Sequence, residues 1–111
     1  MDEPTTDVIQ GTLDMLILKS LSLQPMHGFG VTQRIEQISK GVFKVNPGSL
    51  LLAFQRLERD ASIDAEWRVS ENSRRAKYYS LTSKGRKRLK LDTSDWQRRV
   101  AAIALLLEAE A

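Results

Sequence analysis

The chain has 111 residues, enough for one small domain with one appended helix and a modest core. It has no cysteine and one histidine, which excludes disulfides, thiolate nucleophiles and thiolate metal sites and leaves a lone imidazole no companion for a histidine metal site. The formal net charge is +3, but residues 68 to 90 hold nine cations against Glu71 alone, while the rest of the chain holds eight basic and thirteen acidic residues. Such sorting points to a polyanionic partner, with an unpartnered solvated face as the plain alternative.

Residues 1 to 7 are polar and read as a frayed start, unlike a secretory signal. A first helix is expected from Gly11 or Thr12 to Leu23. Leu13, Leu16, Ile17 and Leu21 recur at its period, and Met15 and Leu18 make it apolar on a second side. Gln24 to Gly28 breaks it. The second helix is expected over Gly28 to Ser39, with Phe29, Val31 or Thr32, Ile35 and Ile38 inward, His27 as its cap and Gly41 as its stop. As a lone imidazole, His27 reads as a cap or packed side chain, not as a catalytic base. Val42, Phe43 and Val45 form a short extended connector.

The third helix has a marked start. Asn46 suits the N-cap and Pro47 the first helical position. Leu50, Ala53, Phe54 and Leu57 make an inward stripe, which leaves Gly48, Ser49, Leu52, Gln55, Arg56 and Arg59 outward. Small and polar residues at an exposed helix start suit the DNA major groove, although any amphipathic surface helix shows the same pattern.

The period then becomes two. Ile63, Ala65, Trp67 and Val69 alternate with Asp64, Glu66 and Arg68, which predicts a strand with one buried face. Residues 70 to 74 are turn-forming, and Arg75 to Leu81 is a second strand with Tyr79 and Leu81 inward. Three helices followed by a hairpin predict an α+β, mainly α, winged helix-turn-helix over residues 1–81. Asn72, Arg74, Arg75 and Lys77 lie at the wing tip, where all can contact phosphate.

Thr82 caps a last helix running to about Glu108, the unit 82–111. Its first turns hold Lys84, Arg86, Lys87, Arg88 and Lys90. Cations there oppose the helix dipole and suggest an external anion such as the DNA backbone. Leu89, Trp96, Val100, Ile103 and Leu107 recur at heptad-like spacing, as a dimer interface would require. Packing on the chain's own first helix is the alternative, and the two are compatible. Val100 to Leu107, the longest apolar run, is too short to span a bilayer. The expectation is a cytoplasmic protein with no membrane partner.

With these elements in place the chain resembles the PadR family, named for repressors of phenolic acid decarboxylase genes. The resemblance rests on Gly11-Thr12-Leu13-Asp14, His27-Gly28-Phe29-Gly30, Asn46-Pro47-Gly48-Ser49-Leu50, Arg56-Leu57-Glu58, the run from Ser70 to Tyr79, and Leu81-Thr82-Ser83-Lys84-Gly85. Each motif alone is weak; their order and spacing are specific, and the single-helix tail is similar to the small subfamily. The resemblance implies a homodimeric winged-helix regulator, usually a repressor, that reads DNA with the third helix and the wing and dimerises through the tail. It also implies, for some members, release of DNA by an aromatic effector near the dimer interface. Trp96 would stack on such a molecule, or would simply fill the dimer core. Two departures stand out. Leu51 and Leu52 replace the family's usual tyrosine and proline, and Phe29 replaces a tyrosine.

The resulting expectation is a dimer on a near-palindromic operator in double-stranded DNA. Ser49, Gln55, Arg56 and Arg59 would contact bases or phosphates from the third helix, with Arg56 open to capture by Glu58 or a neighbour. Asn72, Arg74, Arg75 and Lys77 would contact DNA from the wing. The alternative is a winged-helix module for a protein or ligand with weakened DNA recognition, motivated by Leu51 and Leu52. No cofactor, metal or catalytic residue is expected: there is no glycine-rich phosphate loop and no carboxylate pair in an apolar setting.

Overall fold

In chain order the elements are β1 (Thr6–Asp7), α1 (Leu13–Leu23), β2 (Met26–His27), α2 (Gly28–Ile38), β3 (Phe43–Lys44), α3 (Pro47–Arg59), β4 (Ile63–Val69), β5 (Arg75–Leu81) and α4 (Ser83–Glu108). They come from a computed structural model that describes residues 6–7, 12–69 and 72–110. The expected helix start at Gly11, most of the frayed segment and Ser70–Glu71 of the turn lie outside the described residues. The fold is α+β and mainly helical, a winged helix with a long final helix.

The helix starts form where the local chemistry asks for them. His27 Nδ1 accepts the Gly30 amide at 3.0 Å, Asn46 Oδ1 accepts the Ser49 amide at 3.1 Å, and Thr82 Oγ1 accepts the Gly85 amide at 3.0 Å. Each satisfies an amide that the first turn leaves without a carbonyl. At the end of α3 the Ser62 amide donates to the Leu57 carbonyl and the Ala61 amide to the Glu58 carbonyl, a Schellman closure. Ala61 takes the left-handed position, at φ 62°. The end of α2 closes in the same way, with Lys40 and Gly41 both at positive φ.

The core joins Ile17, Leu18 and Leu21 of α1, Val31 and Ile35 of α2, and Leu50, Ala53, Phe54 and Leu57 of α3 to Met26, Val45, Ile63 and Tyr79 from the strands and a connector. Phe54 and Tyr79 stack face to face with centroids 4.1 Å apart, which fastens α3 to β5. Every fully buried leucine or isoleucine here contributes roughly 1.5–3 kcal/mol through removal from water.

Several expectations change. Residues 24–28 were expected only to break a helix, yet Met26–His27 pairs antiparallel with Tyr79 and Tyr78, so the wing sheet has three strands in the order β2-β5-β4. Thr6–Asp7, expected to fray, pairs in parallel with Phe43–Lys44. Phe29 and Ile38 are mostly exposed, because the face that α2 turns to the core is narrow, with Val31 and Ile35 its buried residues. The alternating face of β4 is buried only at its root. Ile63 is inside and Ala65 half-buried, but Trp67 is 59% and Val69 70% exposed, since the hairpin there has left the helical body. Among the described residues no helix is long and apolar enough to cross a membrane.

Candidate nucleic-acid interface

The start of α3, the start of α2 and the outer half of β5 enclose an open groove. Pro47, Leu50 and Leu51 of α3 face Asn72, Arg74, Arg75 and Lys77 of the wing across it, with His27, Phe29, Thr32, Gln33 and Tyr78 also along it. Three-strand pairing sets this geometry, because β2 ties the start of α2 directly to β5. The expected wing residues and the N-terminal half of α3 therefore lie on one side of the molecule.

Charge across this side is unevenly free. Arg74 and Arg75 are exposed and make no ion pair among the described residues, although the Arg75 guanidinium lies 5.3 Å from the Trp67 ring centroid. Trp67 thus serves as a platform for a cation at the wing tip. Lys77 differs: its Nζ lies 2.8 Å from Glu58 Oε1 of α3. That hydrogen bond raises the Lys77 pKa and keeps it protonated, with its charge already met. Arg68, also in the basic segment, is held by Glu66 and lies over the Tyr78 ring.

On α3 the expected residues separate. Gly48, Leu52, Gln55 and Arg59 follow one another at helical spacing opposite the buried stripe and form the outermost line. Leu51 and Glu58 lean toward the wing, as their contacts with the groove and with Lys77 require. Ser49 and Arg56 lean the other way. The neighbour that captures Arg56 is Asp14 of α1, at 2.9 Å, and not Glu58.

Cations at the start of α4 are largely answered within the chain. Lys84 reaches Asp60 at 3.0 Å, and Arg88 reaches Asp14 at 3.1 Å and Asp60 and Asp92 at 3.5 Å. The external anion inferred for them is unnecessary for these two; Arg86, Lys87 and Lys90 stay exposed with no ion pair among the described residues. Leu89, expected at a dimer interface, is partly buried against the core of its own chain. Trp96, Val100, Ile103 and Leu107 lie farther along α4 and are increasingly exposed.

Phe29, Thr32 and Gln33 were not foreseen at the groove. Helical spacing places Phe29, and Val31 or Thr32, on the inward face, and gives Gln33 no role. No group of three or more histidine, cysteine or acidic side chains able to hold a metal occurs among the described residues.

Comparison with known proteins adds to this geometry. A family model described as the transcriptional regulator PadR-like family matches residues 17–91. An uncharacterized protein from Lysinibacillus sphaericus is 29% identical over 103 residues, 93% of this chain and 94% of its own. A solved transcriptional regulator from Clostridium thermocellum is 26% identical with a TM-score of 0.83, over 91% of this chain and 98% of that one. A PadR family transcriptional regulator from Eggerthella lenta is 25% identical with a TM-score of 0.76, over 91% and 86% of the two chains.

Proposed function

The chain belongs to the PadR-like family of transcriptional regulators, and from that premise we propose that it is a homodimeric repressor of a near-palindromic operator. It is a DNA-binding regulator and not an enzyme. The observation that carries the proposal is the shared groove: the free cations Arg74 and Arg75 flank the same cleft as the start of α3. A duplex laid there would meet the outer line of α3 in its major groove and the wing at its backbone or minor groove.

In this reading Gln55 and Arg59 are the principal polar contacts from α3, and Ser49 reaches a flanking phosphate. Asn72, Arg74 and Arg75 hold the backbone from the wing. Arg56 and Lys77 take part only by giving up Asp14 and Glu58. Residues 1–81 form the reading unit and 82–111 the dimerising one. Trp96, Val100, Ile103 and Leu107 supply the dimer seam, because more than a third of each stays exposed in one chain, rising to most of Leu107. Two copies read half-sites about one helical turn apart, on the order of 34 Å. An aromatic effector would seat against Trp96 and release the DNA; quenching of Trp96 fluorescence in a Trp67→Phe background measures that step.

Titration of the full chain against its own upstream DNA and against random duplex, at two salt concentrations, tests the proposal. Tighter upstream binding and a steep loss of affinity with salt are expected. Equal affinity for both duplexes at both salts overturns it.

A further inference from the structure

We propose that Leu51 and Leu52 make this protein a reader of thymine methyl groups, packing against C5-methyls in the major groove and so selecting its half-site. The inference rests on the DNA-binding reading above and adds the base that is chosen.

Both leucines are more than half exposed, Leu51 at 55% and Leu52 at 57%, on a helix whose core is already supplied by Leu50, Ala53, Phe54 and Leu57. Leu52 lies on the outermost line of α3, between Gly48 and Gln55, and Leu51 lines the groove beside Arg74 and Arg75. The first turns of a reading helix are those that reach base edges. On the outermost line and the groove side, those turns offer a glycine without a side chain and two side chains that neither donate nor accept hydrogen bonds, while the Ser49 hydroxyl lies on the other flank. Thymine is the base that presents an apolar group in the major groove. Against guanine, adenine or cytosine the same leucines would strip water from base-edge donors or acceptors and return nothing. Gln55, one turn after Leu51 and Leu52, has the bidentate geometry for adenine N6 and N7, so leucine and glutamine together suit A·T steps. The flanking arginines favour a polyanion over an apolar peptide as the occupant, since a peptide would leave both charges unmatched.

The test begins with duplexes selected from a random-sequence library by the full chain. Each thymine of the selected half-site is then replaced by deoxyuridine, which removes the methyl and nothing else. Affinity should fall roughly fourfold at each contacted position and stay level elsewhere. A Leu51→Ala/Leu52→Ala variant, its helicity verified by circular dichroism, should bind thymine and uracil duplexes equally. Equal binding of both duplexes by the unaltered chain overturns the inference while leaving DNA binding intact. Discrimination that persists in the double variant also overturns it. Failure to enrich any duplex overturns the DNA-binding reading itself, and the leucine pair then belongs to an interface with another protein.

Discussion

Lys77 and Arg75 sit two residues apart on one strand, yet only Arg75 has its charge to spare. Glu58 holds the Lys77 ammonium at 2.8 Å, so a phosphate must compete with a carboxylate already in place. Glu58→Gln should therefore tighten duplex binding and steepen its salt dependence by about one charge, read from the slope of log K against log salt. Arg74→Ala with Arg75→Ala should act in reverse, weakening binding to all sequences alike and lowering the slope by roughly two. A second residue-scale test concerns backbone strain. Ala61 closes α3 at φ 62°, a conformation that costs an L-residue roughly 1–2 kcal/mol. Replacement by glycine removes that strain and adds unfolded-state entropy, for a net gain of about 0.5–1 kcal/mol in chemical denaturation. Little change, or a loss, would show that Ala61 is not strained there.

Among the elements, α4 has two parts with different obligations. Its first turn is wedged against the turn after α3. A Cβ on Gly85 would lie 2.0 Å from the Ser62 carbonyl oxygen and 2.6 Å from Leu81 Cδ1, so no other residue fits without moving backbone. Gly85→Ala should cost about 1–3 kcal/mol or more and loosen α4 from the rest of the fold, as measured by unfolding and by protease cleavage near residue 82. The far part of α4 has no such docking, and its apolar stripe waits for another surface. Ile103→Asp should shift a dimer to monomer in sedimentation and weaken operator binding, while α1 to β5 keep their stability. A monomer that holds full operator affinity would remove the tail from the mechanism.

At the scale of the whole molecule, two aspartates tie α3 to α4. Asp14 of α1 receives Arg56 of α3 and Arg88 of α4, and Asp60, capping α3, receives Lys84 and Arg88. The Ser62 hydroxyl, donating at 2.6 Å, and then Lys84 hold the Asp60 carboxyl below its ordinary pKa. Its folded pKa being the lower one, Asp60 stabilises the fold fully above the ordinary aspartate range, and that contribution fades as pH falls through the folded value. Acid titration of unfolding should show a loss of stability below about pH 4 that Asp60→Asn reduces. An unchanged acid limb in that variant would place the loss elsewhere.

The elements that local chemistry specifies were readable in the chain. Asn46-Pro47, His27 and Thr82 start helices because a cap acts on amides within its own turn, and Leu50, Ala53, Phe54 and Leu57 show their burial through spacing alone. The family motifs, spread from Gly11 to Gly85, imply the same architecture. Long-range partners were beyond that reading. Nothing near Lys77 or Arg56 in sequence announces Glu58 or Asp14 as the carboxylate each meets, because those pairs exist only after a helix has packed against a strand or another helix. The exposure of Trp67, Val69 and Phe29 was hidden for the same reason. A two- or 3.6-residue period tells which side chains share a face, but only the packed body determines how far along an element that face stays covered.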